Sequence, residues 1–466
     1  MTRVAIIGGG ISGLAAAYAL EELKQDAQAK VEYALYEASP RFGGVLQTEM
    51  VEGCTVEAGP DSFLTEKPQA ADLCRSLGLG DQLIGSNDAQ RVTYIALGNR
   101  LVPLPDGLMF MVPTRPIAMA RSPLFSWRTK LRITREMLLP PRSGGADESV
   151  ASFVERHYGR EMVERIADPL LSGIYGGDAS SLSVRAVLPR FVEMERMRGS
   201  LGRAMLARRK KSAHASGQPP APMFTTLKGG LQQFVDALLS RLPASGLHAG
   251  TPAQAIQREG TGGWLVSAGM QSDQFDALIL ALPAHAAASL LRPQSPDIAD
   301  ELGSIPYTSS ITIALGYGAQ VRASLPAGFG FLVPRGEDRH LLAATFVHNK
   351  FPHRAPADRA LLRCFIASEK AELVWDCSDD AVVKIVGKEL DQILGVHSEA
   401  LFARVYRWKR AMAQYTVGHL ERVERIERMC QDLPGLCLAG NGYRGIGISD
   451  CIQSGFDAAR RIRLSS

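Results

Sequence analysis

The chain has 466 residues, 46% hydrophobic, 21% charged and 7% aromatic, which excludes disordered and fibrous classes and suggests two or three domains. Its 52 Lys and Arg against 48 Asp and Glu leave a net charge of +4, too small to argue for nucleic acid as a partner. Glycine is the deviation to follow, with 45 residues against a usual share of about 7%.

The opening MTRVAIIGGG lacks a basic segment followed by a long apolar core, so no export signal is expected. Arg3 to Ile7 (RVAII) reads as a buried parallel strand. It runs into Gly8, Gly10 and Gly13 of GGGISG, with Ile11 and Ser12 between the last two, and then into a helical stretch, LAAAYALEEL. In a nucleotide-binding unit the first glycine makes the turn, the second lets the backbone approach a pyrophosphate, and the third lets helix pack on strand. The helix N-terminus offers free N–H groups to the phosphates. A second strand, VEYALYE, ends in Glu37, placed to accept ribose hydroxyls, and Ala38 follows. Just beyond, Arg41, Gly43 and Gly44 of EASPRFGG continue the glycine-rich pattern.

The seven cysteines (Cys54, Cys74, Cys364, Cys377, Cys430, Cys437 and Cys451) are scattered without a CxxC pair. They read as reduced thiols, and no metal site is expected. Residues 101–222 change texture, from proline-punctuated apolar sequence to helical stretches such as ASFVERHYGREMVERI. The basic run Arg203 to Lys211, with SAHASGQPP after it, reads as a solvated loop, with an anionic-lipid contact beside residues 104–120 as the alternative. After Gly229 and Gly230, a helix LQQFVDALLSRL and strand-like segments lead to FDALILALP, a buried strand returning to the nucleotide domain. Residues 277–291 are uncharged but too short to span a membrane and contain Pro283. SSITIALGYG and the segment around Gly330 and Phe331 read as period-2 strands of an antiparallel sheet over a ligand. Finally, GLCLAGNGYRGIGISDCIQSG (residues 435–455) reads as strand, glycine-rich turn and helix. Its turn, with Gly440, Gly447 and Ile448, can bring backbone N–H groups to a flat ring carbonyl. Asp450 reads as a cap and Cys451 as a packed thiol.

LLSGIYGGDASSLSVRAVLPRF (Leu170 to Phe191) closely resembles the SG-(I/V)-Y-x-GD…LS pattern of oxygen-dependent protoporphyrinogen and coproporphyrinogen oxidases, FAD enzymes of the amine-oxidase superfamily. The likeness continues through EASPRFGG, GPDSFL (Gly59 to Leu64), GFGFLVP (Gly328 to Pro334), RWKRAMAQYTVGH (Arg407 to His419) and GYRGIGISDCI (Gly442 to Ile452). It implies an α/β fold, α+β overall, with a discontinuous Rossmann-like FAD domain (residues 1–84, 223–292 and 425–466). Residues 85–100 and 293–424 would form an antiparallel-sheet substrate domain, and 101–222 a helical membrane-associated domain. Non-covalent FAD is implied, with Arg41, Gly43 and Gly44 along its diphosphate and Gly59, Pro60 and Asp61 beside it.

The implied reaction removes six electrons from a porphyrinogen over three FAD cycles, with oxygen as acceptor. The flavin N5 does the chemistry, so no catalytic side chain is assigned. Arg91 matches an arginine that plant-type relatives offer to a substrate propionate. Gly173 matches a glycine whose carbonyl faces a pyrrole N–H, and Phe329, Leu332 and Phe346 are candidates to sandwich the ring. Arg91 favours protoporphyrinogen IX, which is placed first; FVHNKFPHRAP (Phe346 to Pro356) and GPDSFL look more like the coproporphyrinogen III group, placed second. An amine oxidase is a more remote alternative, lacking here the SGGCY-like context of a covalent flavin, and a flavin-free relative or porphyrin carrier another. The expected location is the cytoplasm, with peripheral contact to the inner face of the cell membrane and a homodimer both left open.

Overall fold

The computed structural model describes residues 1–24, 30–142, 144–215, 221–260 and 262–462. Five parallel strands form one sheet in the order Leu247–His248, Val31–Tyr36, Thr2–Ile7, Ala277–Leu280 and Leu436–Leu438. The central strands are apolar on both sides because both faces are covered, so VAII and ALIL are almost wholly buried. Helices that include Ile11–Lys24 and Ile448–Arg461 cover one face; the antiparallel strands Ala253–Arg258, Trp264–Ala268 and Gln271–Phe275 cover the other with helix Ala284–Leu291. Sequence-distant strands therefore share one sheet, and FDALILALP pairs directly beside the first strand. The helices Ile11–Lys24 and Ile448–Arg461 pack face to face through small residues. A Cβ on Gly455 would lie 2.2 Å from the Ser12 carbonyl oxygen, so only glycine permits that approach.

A second sheet has seven strands, in the order Phe402–Ala413, Tyr307–Gly318, Arg359–Ala367, Ala343–Phe346, Gly330–Leu332, Thr93–Leu97 and Arg100–Pro103. It is antiparallel except where Gly330–Leu332 runs parallel to Thr93–Leu97. The expected period-2 alternation is not what Tyr307–Gly318 shows, since Ile311 to Tyr317 are all buried. Both faces are covered. Val382, Val386 and Leu390 of helix Asp379–Leu394 pack on one face, while Val51, Cys54 and Val56 of the hairpin Thr48–Glu57 pack against Ala314 and Leu361 on the other.

Helices dominate the insert around a core that includes Phe153, Tyr158, Ile166 and Leu171. The basic run from Arg203 corrects the loop expectation: it lies in the helix Leu201–Ala215, and residues 216–220 fall outside the described residues. Charge density predicted a solvated coil, but a buried carboxylate fixes the helix start. Leu201 N–H donates to Glu136 Oε1 at 2.5 Å and Ser200 Oγ to Glu136 Oε2 at 2.9 Å, an anion at a helix N-terminus. Among the described residues no helix is long and apolar enough to cross a membrane.

Candidate functional site

The glycine fingerprint closes as its spacing requires. A Cβ on Gly8 (φ +107°) would meet the Ala281 carbonyl oxygen at 2.3 Å, and one on Gly13 the Gly8 carbonyl oxygen at 1.9 Å. Gly10 differs: a Cβ there would meet no protein atom within 4 Å. Gly10 bridges to Gly43, and Gly43 N–H donates to Gly9 O at 2.8 Å, so the two glycine motifs form a single cradle. Open space over Gly10, glycine on the facing loop and the N-terminus of Ile11–Lys24 beside it fit a dinucleotide diphosphate. Ile11 and Ser12 are buried in that first helical turn.

Glu37 stands just past the strand Val31–Tyr36, followed by Ala38. Its carboxylate accepts from Gly9 N at 2.7 Å and Ser39 N at 2.8 Å, which ties the end of the second strand to the glycine turn. A carboxylate has about four lone-pair sites, so acceptors remain for hydroxyls. Arg41 is turned onto its own loop: Nη1 donates to Phe42 O at 3.2 Å and Leu46 O at 3.1 Å, and Nη2 to Gly44 O. Burial lowers its pKa against the pull of Glu37. Here it shapes the 42–46 loop.

Gly59 continues that loop contact, since a Cβ there would lie 1.9 Å from the Val45 carbonyl oxygen. Asp61, two residues on, is held in an ionic cluster. Lys350 Nζ donates to its two oxygens at 3.1 and 3.0 Å, and Arg363 Nη1 lies 3.9 Å from Oδ2. Burial works to raise this carboxyl, but Lys350 with Arg363 and Arg354 outweighs it and holds Asp61 well below the usual carboxylate range. A neighbouring pair repeats the theme: Arg354 Nη2 donates to Glu57 Oε1 at 2.8 Å, both side chains 1% exposed. The same guanidinium donates to Thr226 Oγ1, whose hydroxyl in turn donates to Asp61 O. Lys350 and Arg354 belong to FVHNKFPHRAP and Asp61 to GPDSFL, so two motifs read separately in the sequence are ionic partners. Charges inside apolar surroundings were the available signal, and their pairing was invisible to it.

At the C-terminal turn, Asp450 Oδ2 accepts from Gly447 N at 3.2 Å and pairs with Lys67 at 2.6 Å, so it caps the helix that Ile448 begins. Gly440 (φ +129°) donates its N–H to Ser454 Oγ at 3.1 Å. The predicted substrate residues divide. Leu332 is half-buried and is the nearest protein neighbour to a Cβ on Gly173, at 3.6 Å, bringing sheet and helix Asp168–Tyr175 together. Phe329 N–H donates to Val92 O at 2.7 Å, placing Phe329 beside Arg91, whose half-exposed guanidinium sits 3.5 Å from Asp88. Phe346 joins them through its backbone alone, its N–H donating to Phe329 O at 2.8 Å. It is 0% exposed in the core on the helix-covered face of the sheet, 6.2 Å from the ring of Phe331. Strand alternation turns Ala343 and Thr345, not Phe346, to the opposite face.

The family model for flavin containing amine oxidoreductases matches residues 11–463. The chain is 34% identical to coproporphyrinogen III oxidase of Bacillus subtilis (strain 168), over 97% of this chain and 96% of that one. It is 32% identical to coproporphyrinogen III oxidase of Propionibacterium freudenreichii subsp. freudenreichii, over 99% and 90%. A crystal structure of an Exiguobacterium sp. 255-15 protein, provisionally assigned as a protoporphyrinogen oxidase, aligns with a TM-score of 0.88 at 30% identity over 98% of both chains.

Proposed function

The chain belongs to the flavin containing amine oxidoreductases and, within them, to the protoporphyrinogen and coproporphyrinogen oxidases; we propose that its substrate is coproporphyrinogen III and its cofactor non-covalent FAD. This reverses the order in which the sequence placed the two porphyrinogens. The observation that supports the choice is the likeness to relatives named for coproporphyrinogen III; GPDSFL and FVHNKFPHRAP, the two stretches that resemble that group, meet through Asp61 and Lys350. Relatives named for coproporphyrinogen III match at 34% and 32% identity, against 27% for a plant protoporphyrinogen oxidase of Arabidopsis thaliana.

Gly8, Gly10, Gly13, Gly43 and Gly44 would hold the diphosphate and Glu37 the ribose, with the 440–448 turn at the ring. Bound FAD would supply the redox chemistry, a two-electron oxidation repeated three times with oxygen as the acceptor. The protein's part is positioning. Leu332 and Gly173 form an apolar wall against a flat ring, and Arg91 offers a charge-assisted bond to a carboxylate at the rim. Steady-state assays with both porphyrinogens test the substrate: kcat/KM is expected to be higher for coproporphyrinogen III, and a higher value for protoporphyrinogen IX overturns the reading.

We also propose a peripheral contact with anionic membrane on the insert. Helix Trp127–Glu136 exposes Trp127 (69%) and Leu131 (53%) beside exposed Arg128, Arg132 and Arg135, the apolar-plus-basic face of an interfacial helix.

A further inference from the structure

The segment Arg407 to His419 was singled out by its sequence, and the residues assigned above leave its C-terminal part unused. Its structural role lies on the glycine-rich turn at 440–447. Tyr415, 2% exposed, donates its hydroxyl hydrogen to Asn441 O at 2.7 Å and accepts from Gly445 N–H at 2.7 Å. One oxygen thus closes the turn from both ends. The phenol ring stacks on His419, with centroids 4.0 Å apart and planes at 13°. His419 Nε2–H donates to Tyr443 O at 2.8 Å, so two neighbouring side chains grip residues 441, 443 and 445. Burial holds His419 at a pKa of about 4, which keeps it a neutral ring with a single N–H.

Other residues fix the turn's remaining freedom. Asn441 Nδ2 donates to Ala411 O at 3.0 Å, and Tyr307 OH to Asn441 Oδ1 at 3.4 Å. Gly445 (φ +144°) leaves no room for a Cβ, which would come within 2.4 Å of Asp450 Cγ. Such a turn cannot be held by its own sequence, because glycine at 440, 442, 445 and 447 carries the largest conformational freedom. The tertiary contacts supply what the local chain lacks.

We infer that Tyr415 and His419 are positioning residues that lock the 441–447 turn in the form that favours the reduced flavin. The inference rests on the FAD reading proposed above, and it concerns the cofactor alone, whichever porphyrinogen is the substrate. Backbone dipoles stabilise developing charge only if they are oriented before the charge appears. Loosening the turn therefore disfavours reduced flavin more than oxidised flavin.

The test is the midpoint potential of the bound flavin, measured on the holoprotein by dye-equilibrated reduction without any porphyrinogen. Tyr415→Phe keeps the ring stack and removes the one oxygen. It is expected to lose about tenfold in preference for the reduced state, which is about 30 mV for a two-electron couple. In turnover it should lower kcat with an unchanged KM. His419→Phe should lower the potential in the same direction, while His419→Gln, which retains a donor for Tyr443 O, should recover most of it. Tyr175→Phe serves as a control, since that ring lies 6.2 Å from Tyr415 and contributes no hydroxyl bond to the turn. Should Tyr415→Phe not fold, the two His419 variants carry the test. An unchanged potential in Tyr415→Phe or His419→Phe with only a lower melting temperature would mean a purely structural role and overturn the inference. Failure to oxidise either porphyrinogen with a normal potential shift would instead strike the substrate reading.

Discussion

Replacing Arg354 with Met removes the cation from a pair buried at the junction of the hairpin Thr48–Glu57 and the second sheet, leaving Glu57 1% exposed without its counter-charge. At 2.8 Å and an effective dielectric of about 20, the direct attraction is about 6 kcal/mol. Part of that is returned, because the guanidinium no longer has to be desolvated and Glu57 keeps bonds from Thr48 Oγ1 and Leu231 N. A net loss of about 4 kcal/mol is expected, in the range of about 3–5 kcal/mol for breaking a buried pair from one side. The pH dependence has a definite sign. Burial already raises the Glu57 pKa, with Arg354 opposing, and losing Arg354 raises it further. The folded state of the variant then binds a proton more tightly than the unfolded chain. Its deficit is therefore small below the ordinary carboxylate pKa and grows as pH rises through the folded value. The assay is the urea midpoint of the protein at fixed excess FAD, near about pH 5 and about pH 8. A loss below about 1 kcal/mol, as an exposed pair gives, would refute the buried-pair reasoning. So would a deficit that does not shrink in acid. Glu57→Gln combined with Arg354→Met should be less damaged than Arg354→Met alone, since no charge is then stranded.

The cradle makes a paired prediction: Gly13→Ala should lower both apoprotein stability and flavin content, whereas Gly10→Ala, with no protein atom in the way, should lower flavin content alone. Equal melting temperatures for the two apoproteins would contradict it. In the insert, burial lowers the His157 pKa, but the carboxylates of Glu136 and Glu195, 3.4 and 3.3 Å from its ring nitrogens, outweigh it and raise the folded value above about 6.5. Its stabilisation is present below that pH and lost as pH rises through the folded pKa, so a urea-midpoint slope across neutrality should flatten in His157→Gln. Arg91→Ala should raise KM severalfold at normal FAD content, and an unchanged KM removes Arg91 from the site. Trp127→Ser with Leu131→Ser should reduce co-sedimentation with phosphatidylglycerol-containing vesicles severalfold; equal binding by wild type and variant would end the membrane proposal.

What the sequence determined was local. Gly8, Gly10 and Gly13 follow a strand and open a helix, and the contact of Gly13 with the Gly8 carbonyl closes the turn within six residues. The apolar runs RVAII and ALIL likewise call for burial on both faces, and a parallel sheet is the structure that provides it. Tertiary structure decided which side chains meet. Asp61 and Lys350 are 289 positions apart, and neither residue type nor spacing says that they pair. Phe346 is as apolar as Leu332, yet strand register puts it in the covered core while Leu332 faces Gly173. The basic run from Arg203 reads as a loop by its charge alone, although its Arg, Ala, Met, Leu and Lys favour helix, and a buried Glu136 on a separate helix caps the helix it belongs to. Steric restriction between near neighbours in sequence, as between Gly8 and Gly13, is legible there. Charge pairing, burial and the choice of face act through neighbours in space, which exist only once the chain has folded.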